Sequence, residues 1–294
     1  MTLLGIDVSR YQGKVNWKSV AASGVTFAFA KATENSGYVD SSFAGNWSGI
    51  REAGLLRGAY HFGRPGGDPE VQAVHFASVV GSLGSRDLPP VLDLEVNDNH
   101  AASYVVQWAR TFLTRAESLF GRRLIIYTGS FWRGPLGNPN DPFFRERSLW
   151  LAAYIAKPVI PASWDHWLFW QYTEGQHNNP AAIAGVAPCD QSRFEGTEAE
   201  LEALCHGFTP VPNPMPTPVG SQWPGTFFVW PKQPVVAGPV VRAWQQQLTE
   251  RGYSITCDGI YGPKSKQACM AFQRDHGLVS DGIVGKATWE ALFS

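Results

Sequence analysis

The sequence predicts an α/β protein: an irregular TIM-like (β/α) barrel with reduced late helices, followed by a small all-α domain of three helices. Short apolar segments suited to buried strands recur eight times between residues 3 and 190, and the earlier ones alternate with helical patterns. The last three have few helical residues between them. Further on, two Asp-Gly-Ile loops each precede a helical pattern, which predicts a repeated loop-helix unit.

The predicted strands are rich in apolar residues and end at polar ones. They comprise residues 3–8, 25–31, 55–62, 89–96, 123–128, 148–154, 168–172 and 187–190. Between the early strands, helices are predicted after the cap residue Asn16 and over residues 42–53, 68–80 and 101–120, each followed closely by a glycine. The polar residues 32–40 are predicted to form a loop. Alternation of this kind favours a parallel sheet closed into a barrel.

Composition divides the chain into three predicted parts. Residues 1–206 form the barrel, closed by a short helix that begins with the capping box Thr197-Glu198-Ala199-Glu200. Residues 207–233 form a Pro-rich linker, whose alternate prolines favour an extended spacer at ~3.1 Å per residue. A proline-rich ligand for a partner domain is the alternative interpretation. Residues 234–294 form the helical domain.

Charge and hydropathy exclude several classes of partner. The net charge is −1, so nothing points to nucleic acid or to an anionic membrane surface. No apolar run reaches the ~18 residues of a transmembrane helix. The first residues, Met1–Asp7, have no basic region and reach an acid at once, so no secretory signal is predicted and synthesis in the cytoplasm is expected. The 12 Trp suit sugar stacking or core packing equally.

Cysteine and histidine spacing predicts no metal and no cofactor. Cys189, Cys205, Cys257 and Cys269 show no CxxC spacing, and we expect buried free thiols, with a bridge in either domain as the alternative. The seven His are scattered, without an HExxH pattern. The Asp-Gly loops lack the other acidic ligands of a calcium-binding EF-hand loop, so they are interpreted as structural turns.

Two acids lie inside one predicted strand, Pro89-Pro90-Val91-Leu92-Asp93-Leu94-Glu95-Val96. A spacing of two puts Asp93 and Glu95 on the same face, with Cα atoms about 6–7 Å apart. Two carboxyl groups that converge in this way suit acid/base catalysis on a glycosidic bond. A turn or salt bridge at a strand end is the alternative, and the spacing alone does not decide between them.

The ends of the other predicted strands favour the catalytic interpretation. In a TIM-type barrel the active site lies at the carboxyl ends of the strands. The residues there are acids, aromatics and an amide: Asp7, Lys31, Tyr60 or His61, Glu95, Tyr127, Tyr154, Gln171 or Tyr172, and Asp190. Unrelated turn residues would not converge so regularly on one mouth.

These motifs, taken together, resemble the family 25 glycoside hydrolases, muramidases that cut peptidoglycan. The resemblance covers about residues 2–194, and residues 195–206 depart from the pattern. The similar motifs are Gly5-Ile6-Asp7-Val8-Ser9 with Tyr11-Gln12-Gly13 and Trp17, Phe29-Ala30-Lys31-Ala32-Thr33-Glu34, Gly58-Ala59-Tyr60-His61-Phe62, Asp93-Leu94-Glu95, and Gln171-Tyr172 with Asp190.

The resemblance implies a role for each site residue. Glu95 would be the catalytic acid/base, Asp93 would assist it, and Asp7 and Asp190 would line the site. Lys31, Glu34 and Gln171 belong to the matched motifs and are placed in or around the substrate site. Candidate sugar contacts, with core packing as an equal alternative for each, are Tyr60, Tyr127, Tyr154 and Trp170.

Residues from about 234 to the end resemble a three-helix peptidoglycan-binding module. The matching pieces include residues 241–248, 258–262, 271–273, 281–285 and 288–289. A hydrolase, a tether and a wall-binding module without a signal peptide look like a bacteriophage endolysin, which reaches the wall through a holin pore. A bacterial autolysin exported in another way would look similar. The implied partner is bacterial peptidoglycan, without membrane insertion.

The resulting hypothesis is hydrolysis of the β-1,4 bond between N-acetylmuramic acid and N-acetylglucosamine. We expect an ionised Asp93 and partial burial to raise the pKa of Glu95. Asp93 is either a nucleophile or an orienter of the substrate's own acetamido group, and we favour the second because both acids approach from one side. An inverting mechanism stays open. The competing functions are a peptidoglycan amidase or peptidase and a non-catalytic wall-binding protein.

Overall fold

A computed structural model of the chain describes residues 2–178, 180–206, 223, 228–230, 239–255, 257, 259 and 261–293. The chain divides into two compact units, Met1–Thr209 and Pro210–Ser294. Almost all of the predicted linker, residues 207–233, lies outside the described residues, and so do Asp258 and Ile260 of the first Asp-Gly loop. The boundaries of linker and domains therefore stay predictions.

The first unit is a closed barrel of eight strands, as predicted. Its strands run in the order β1-β9-β8-β7-β6-β5-β4-β2, and β2 pairs with β1 to close the ring. A ninth, two-residue strand, β3, pairs with the end of β2. The strands are β1 Thr2–Val8, β2 Val25–Glu34, β3 Tyr38–Val39, β4 Leu56–Phe62, β5 Val91–Asp93, β6 Ile125–Thr128, β7 Leu149–Ala152, β8 Phe169–Thr173 and β9 Asp190–Glu195.

The helices of this unit that follow α4 are short, which confirms the predicted reduction of the late helices. They are α1 Trp17–Ala22, α2 Phe43–Glu52, α3 Pro69–Val80, α4 Ala102–Phe120, α5 Ser130–Arg133, α6 Pro142–Arg145 and α7 Glu198–Ala203. The long helices have the ends that their sequences predict. The Asp68 side chain accepts hydrogen bonds from the first N–H groups of α3, and Gly121 ends α4 in the left-handed region at φ 64°.

Two sequence predictions about strands were wrong. The last strand was placed at residues 187–190, in the direction of the others, but β9 begins at Asp190 and runs antiparallel to both β8 and β1. Antiparallel neighbours need no crossover helix, and the described part of residues 174–189 forms none. Residues 32–40 were predicted as a loop, but β2 continues to Glu34, because Ala32 and Thr33 are fully buried.

The barrel interior is filled by aromatic rings from alternate strand positions. Phe27, Phe29, Trp150 and Phe169 contact one another with ring centroids 4.5–6.3 Å apart. Glycines leave room for two of these rings: a Cβ on Gly5 would lie 2.1 Å from Phe27, and one on Gly58 would lie 2.2 Å from Phe29. The opening motif and the third-strand motif of the sequence are thus also packing motifs.

The end of the barrel opposite the strand carboxyl ends is covered by α7 and a buried ion pair. Leu201 and Cys205 pack into the same core as Val91. Nearby, Arg57 Nε donates to Asp87 Oδ1 at 2.6 Å and Arg57 Nη1 donates to the Trp47 carbonyl at 2.7 Å. Burial alone would raise the pKa of Asp87, but hydrogen bonds from Arg57 and from the Gly84 N–H hold that pKa below its ordinary value.

The second unit contains α8 Pro239–Glu250, α9 Pro263–Asp275 and α10 Lys286–Phe293, which confirms a helical C-terminal region. Trp244, Phe272 and Trp289 are among its fully buried core residues. The Asp-Gly repeat has a structural basis. Gln245 of α8 accepts from the Gly259 N–H at 2.6 Å, and Gln273 of α9 accepts from the Gly282 N–H at 2.9 Å. Each loop is therefore held by a buried glutamine of the preceding helix.

All four cysteines are free thiols; Cys189, Cys205 and Cys269 are buried and Cys257 is partly exposed. Among the helices of the described residues, none combines the length and apolar character needed to span a bilayer.

Candidate active site

A polar pocket of about 240 Å³ lies at the carboxyl ends of the parallel barrel strands. It is lined by Asp7, Tyr60, Asp93, Glu95, Tyr127, Trp150, Tyr154, Gln171 and Asp190. Every one of these except Trp150 is a site residue that the sequence predicts. The antiparallel β9 also reaches the mouth, because it starts there with Asp190 instead of ending there.

Asp93 and Glu95 enter the pocket from one strand end. β5 stops at Asp93, so Glu95 lies in the segment after the strand. The sequence had predicted that Glu95 lies within the strand, which was wrong. The residue between them is fixed on both sides: the Leu94 N–H donates to the Tyr127 carbonyl at 3.0 Å, and Thr128 Oγ1 donates to the Leu94 carbonyl at 2.9 Å. The side chains still alternate between the two faces as in a strand: Leu94 is buried on the helix-facing side, and Asp93 and Glu95 both face the pocket.

Gln171 connects the opposite walls of the pocket. Its amide nitrogen donates to Asp7 Oδ2 at 2.9 Å, and its amide oxygen accepts from the Tyr127 hydroxyl at 2.9 Å and the Tyr154 hydroxyl at 2.8 Å. The two tyrosine hydroxyls, predicted as sugar contacts, therefore also orient this glutamine. The network fixes the side chains of four strands or strand ends before any ligand binds.

Asp93 is the most constrained acid of the pocket. It is only 7% exposed, and its buried Oδ1 has no hydrogen-bond partner among the described residues. Burial raises the pKa of Asp93 well above its ordinary value, the neighbouring Glu95 adds to this, and the charge of Lys31 opposes it. An unpaired carboxyl oxygen in such a place is available to a substrate group that can donate a hydrogen bond.

Glu95 is exposed at the surface of the pocket and also has a raised pKa. Desolvation by the surrounding walls is the main cause, Asp190 adds to it, and Lys31 opposes it. We had expected an ionised Asp93 to raise the pKa of Glu95. In the structure the pKa of Glu95 is raised with burial as the main cause, and the repulsion between the two acids raises the pKa of the more deeply buried Asp93.

The pKa values of the other two acids of the pocket are also raised. Burial raises the pKa of Asp190 to about 6, and the charge of Glu174 adds to this. Burial raises the pKa of Asp7 well above its ordinary value, repulsion from Asp190 adds to it, and the hydrogen bond from Gln171 opposes it. Four acids with raised pKa values in one pocket are typical of an acid/base catalytic site.

Three predicted site residues lie outside this pocket. Lys31 forms an ion pair with Glu34 at 2.8 Å on the rim, and its amino group lies 4.9 Å from the Phe62 ring centroid. It acts on Asp93 and Glu95 through its charge. Trp170 points away from the pocket, since its neighbours Phe169 and Gln171 face inward, and its Nε1 donates to the Ala153 carbonyl at 2.8 Å.

The structure also decides between Tyr60 and His61. Tyr60 lines the pocket, whereas His61 is fully buried behind the sheet, 2.8 Å from Thr33 Oγ1 and 3.0 Å from Gln72 Oε1. Burial lowers the pKa of His61 to about 3, so it is a neutral core residue. The side-chain alternation of a strand allows only one of two consecutive residues to face the pocket.

Trp150 is the pocket residue that the sequence reasoning missed. Its Nε1 donates to Ser192 Oγ at 3.0 Å, and its ring meets Tyr127 edge-on at 4.9 Å. The sequence did contain the signal. Trp150 lies four residues before Tyr154 on the same predicted strand, so both side chains are expected on the same, inward face.

No group of three or more His, Cys, Asp or Glu in the described part of the chain is arranged to hold a metal ion. The chemistry that the pocket itself offers is proton transfer and charge stabilisation. A raised-pKa carboxyl group can protonate a leaving oxygen, and a second carboxylate can stabilise a positively charged sugar intermediate.

Comparison with known proteins decides the family. The model of the glycosyl hydrolases family 25 matches residues 6–179, more than half of the chain. The chain belongs to this family. A model of a peptidoglycan binding domain matches residues 237–292.

Individual relatives agree with this assignment. Lysozyme M1 of Streptomyces globisporus is 35% identical over 213 residues, 69% of this chain and 71% of that protein. An N,O-diacetylmuramidase of Chalaropsis is 32% identical over 197 residues, 60% of this chain and 93% of that protein. The crystal structure of a bacterial lysozyme from Streptomyces coelicolor aligns with a TM-score of 0.65 at 34% identity, and covers 70% of this chain and 97% of that one.

The family confirms two predictions made from the sequence. The chain is a glycoside hydrolase of the lysozyme and muramidase type, and peptidoglycan is its substrate and its binding target. The alternatives of a non-catalytic wall-binding protein and of a peptidoglycan amidase or peptidase receive no support from these comparisons.

Proposed function

We propose that this family 25 hydrolase cuts the β-1,4 bond between N-acetylmuramic acid and N-acetylglucosamine, with Glu95 as acid/base and Asp93 as its partner. The observation that carries the proposal is the placement of these two carboxyl groups in one pocket, at the end of one strand, with raised pKa values. Their difference in exposure gives each a role. Glu95 reaches solvent, where a glycosidic oxygen and later a water can approach, while Asp93 lies below it.

The first step transfers the proton of Glu95 to the glycosidic oxygen as the C1–O bond breaks. The acetamido oxygen of the muramic acid attacks C1 from the opposite face and forms a cyclic, positively charged intermediate. In the second step, Glu95 takes a proton from water while the water oxygen attacks C1 and the ring opens. Each step leaves Glu95 ready for the next, and the product has the starting β configuration.

Asp93 supports this route by accepting the acetamido N–H and by facing the positive charge of the intermediate. Its unpaired Oδ1 suits that role. A nucleophilic Asp93 is the alternative, but a nucleophile should approach C1 from the face opposite to Glu95, and both acids come from one strand end. Proton NMR of the first product separates these schemes from an inverting one, because inversion gives the α anomer. A covalent sugar adduct on Asp93 would favour the nucleophile.

The bond that is cut can be read directly from digested cell walls. Mass spectrometry after borohydride reduction should find new reducing ends on N-acetylmuramic acid. Reducing ends on N-acetylglucosamine would assign the other glycosidic bond. Freed stem peptides without new reducing ends would contradict a glycosidase altogether.

We also propose that residues 1–206 are the catalytic domain, residues 207–233 a tether and residues 234–294 a wall-binding domain, as in a phage endolysin. The match of the two families in one chain supports this. A fragment of residues 2–206 should cut small soluble glycans at near the full rate and lose activity on whole walls, because the tethered module raises the local concentration. Equal activity on whole walls would contradict the tether.

The cellular setting follows from the same proposal. An endolysin made in the cytoplasm should lyse its host only after the membrane is opened. Expression with and without a membrane-permeabilising agent, followed by turbidity, tests this. Lysis without permeabilisation would favour an exported autolysin.

A further inference from the structure

A groove of about 440 Å³ continues from the pocket along α5 and the segment after β7. It shares Glu95, Tyr127 and Tyr154 with the pocket, so a molecule bound there is next to the catalytic acid. We call it the Arg133 groove. It is defined by Glu95, Ser130, Phe131, Arg133, Ile155 and Val159.

The walls of the Arg133 groove are apolar and partly uncovered. Ile155 is 52% exposed and Val159 is 50% exposed, two of the large hydrophobic side chains that the barrel leaves in solvent. Leu151 and Phe131 line the floor and are buried. An apolar surface of this kind, continuous with a catalytic pocket, suits the small methyl and methylene groups of a substrate.

Arg133 carries the positive charge of this groove. It ends α5 and is exposed, and it has no ion pair and no side-chain hydrogen bond among the described residues. The arginines of neighbouring segments are engaged: Arg147 pairs with Glu117 at 2.7 Å, and Arg110 pairs with Asp141. The guanidinium of Arg133 is thus free to bind a carboxylate in a bidentate manner.

The charge of the pocket makes a cation at this place significant. Asp7, Asp93, Glu95 and Asp190 line the pocket, so a substrate carboxylate placed among them would lose its solvation and be repelled by any of the four that is ionised. In peptidoglycan, the muramic acid carries a short peptide that begins with alanine and continues with an acidic residue. That peptide must leave the acidic pocket, and the Arg133 groove is the adjacent surface with an apolar wall and a cation.

We propose that the Arg133 groove binds the acidic peptide attached to muramic acid, and that Arg133 binds a carboxylate of that peptide. This rests on the proposed muramidase function and adds to it a preference for peptide-bearing glycan. The groove is too large for the lactyl group of the sugar alone, and its apolar wall suits the alanine methyl group. Arg133 would be a specificity-determining residue and not a catalytic one.

The test compares two soluble substrates with the full-length enzyme: uncrosslinked glycan strands that carry their acidic peptides, and the same strands after an amidase has removed the peptides. Arg133→Ala should lower kcat/KM about 5- to 30-fold on peptide-bearing strands, mainly through KM, the size expected for one charge-assisted contact. It should change kcat/KM less than about twofold on stripped strands. Arg133→Lys should recover part of the loss.

Arg51→Ala is the matched control, since Arg51 of α2 is also exposed and has no ion pair or side-chain hydrogen bond among the described residues. It should change neither substrate. Equal losses on both substrates in Arg133→Ala would overturn the peptide assignment, because stripped strands still carry the lactyl carboxylate. No loss on either would overturn the site. If the wild type cut neither substrate, the muramidase proposal itself would fail.

Discussion

Asp7 and Asp190 lie directly opposite each other in the antiparallel pair formed by β1 and β9. Like charges in such a cross-strand pair are destabilising; burial is the main cause of the raised pKa of Asp7, and repulsion from Asp190 adds to it. The hydrogen bond from Gln171 to Asp7 offsets part of the repulsion and does not remove it. The acids at the mouth of the barrel therefore interact unfavourably in the free enzyme, which is typical of substrate-binding sites, where stability is lost in favour of function.

The first prediction concerns the stability that this arrangement costs. A carboxyl group whose pKa is higher in the folded state than in the unfolded state makes the fold less stable as the pH rises from the unfolded pKa to the folded pKa. For Asp190 the folded pKa is about 6, so the full loss of stability is present above that pH. Asp190→Asn should therefore stabilise the barrel at pH 7.5 by about 1–2 kcal/mol, after allowance for solvent screening. The gain should shrink towards pH 4. Thermal unfolding at both pH values measures it.

Asp165→Asn provides the control, because Asp165 is an exposed carboxyl group of the same unit. Its effect should be small at both pH values. A loss of stability at pH 7.5 in Asp190→Asn would mean that the hydrogen bonds of Asp190 outweigh the cost of burying its charge.

The second prediction concerns the pH profile of activity. Lys31 opposes the raised pKa values of both Asp93 and Glu95. Removing its charge in Lys31→Met makes ionisation of each acid less favourable, so both pKa values rise and both limbs of the kcat/KM profile should move to higher pH. Asp190→Asn should move the alkaline limb to lower pH, since Asp190 raises the pKa of Glu95.

The double variant Lys31→Met/Glu34→Gln tests whether charge is the cause. It removes the ion-pair partner together with Lys31, and Glu34 itself raises the pKa of Asp93. The acid limb should therefore move less than in Lys31→Met. An unchanged profile in Lys31→Met would show that Lys31 does not influence the catalytic acids.

The third prediction concerns the buried ion pair at the other end of the barrel. Asp87 is 2% exposed and Arg57 is 6% exposed, so Asp87→Asn leaves a buried guanidinium without its counter-charge. The cost should be about 3–5 kcal/mol in the free energy of unfolding, measured by denaturant titration. Glu202→Gln breaks the exposed pair with Arg86 and should cost less than about 1 kcal/mol. Similar costs for the two variants would contradict the role of burial.

Much of the fold was predictable from the sequence, because strand and helix signals were local. Asp68, Gly121 and the capping box at Thr197 mark helix ends that the structure reproduces within a residue or two. The direction of β9 was not predictable. Residues 187–195 carry no signal of direction, which depends on how the chain returns to β1 to close the ring.

Most of the candidate site was predictable for a different reason: parallel strands bring their carboxyl ends to one mouth, so strand ends identify pocket residues. The errors concerned which face of a strand a side chain lies on. Trp170 was chosen and Trp150 was missed, although alternation from Gln171 and Tyr154 separates them. The pKa relationship of Asp93 and Glu95 was beyond sequence reasoning, because it depends on how deeply each carboxyl group is buried.

The measurement that tests the central claim most directly is the rate of Glu95→Gln on a soluble peptidoglycan glycan. The amide keeps the shape of Glu95 but can neither donate the proton in the first step nor accept one in the second, so kcat should fall about 10²- to 10⁴-fold with folding and binding intact. Glu52→Gln, on the exposed surface of α2, should keep the wild-type rate. A wild-type rate in Glu95→Gln would contradict the assignment of Glu95 as the catalytic acid, and the mechanism derived from it.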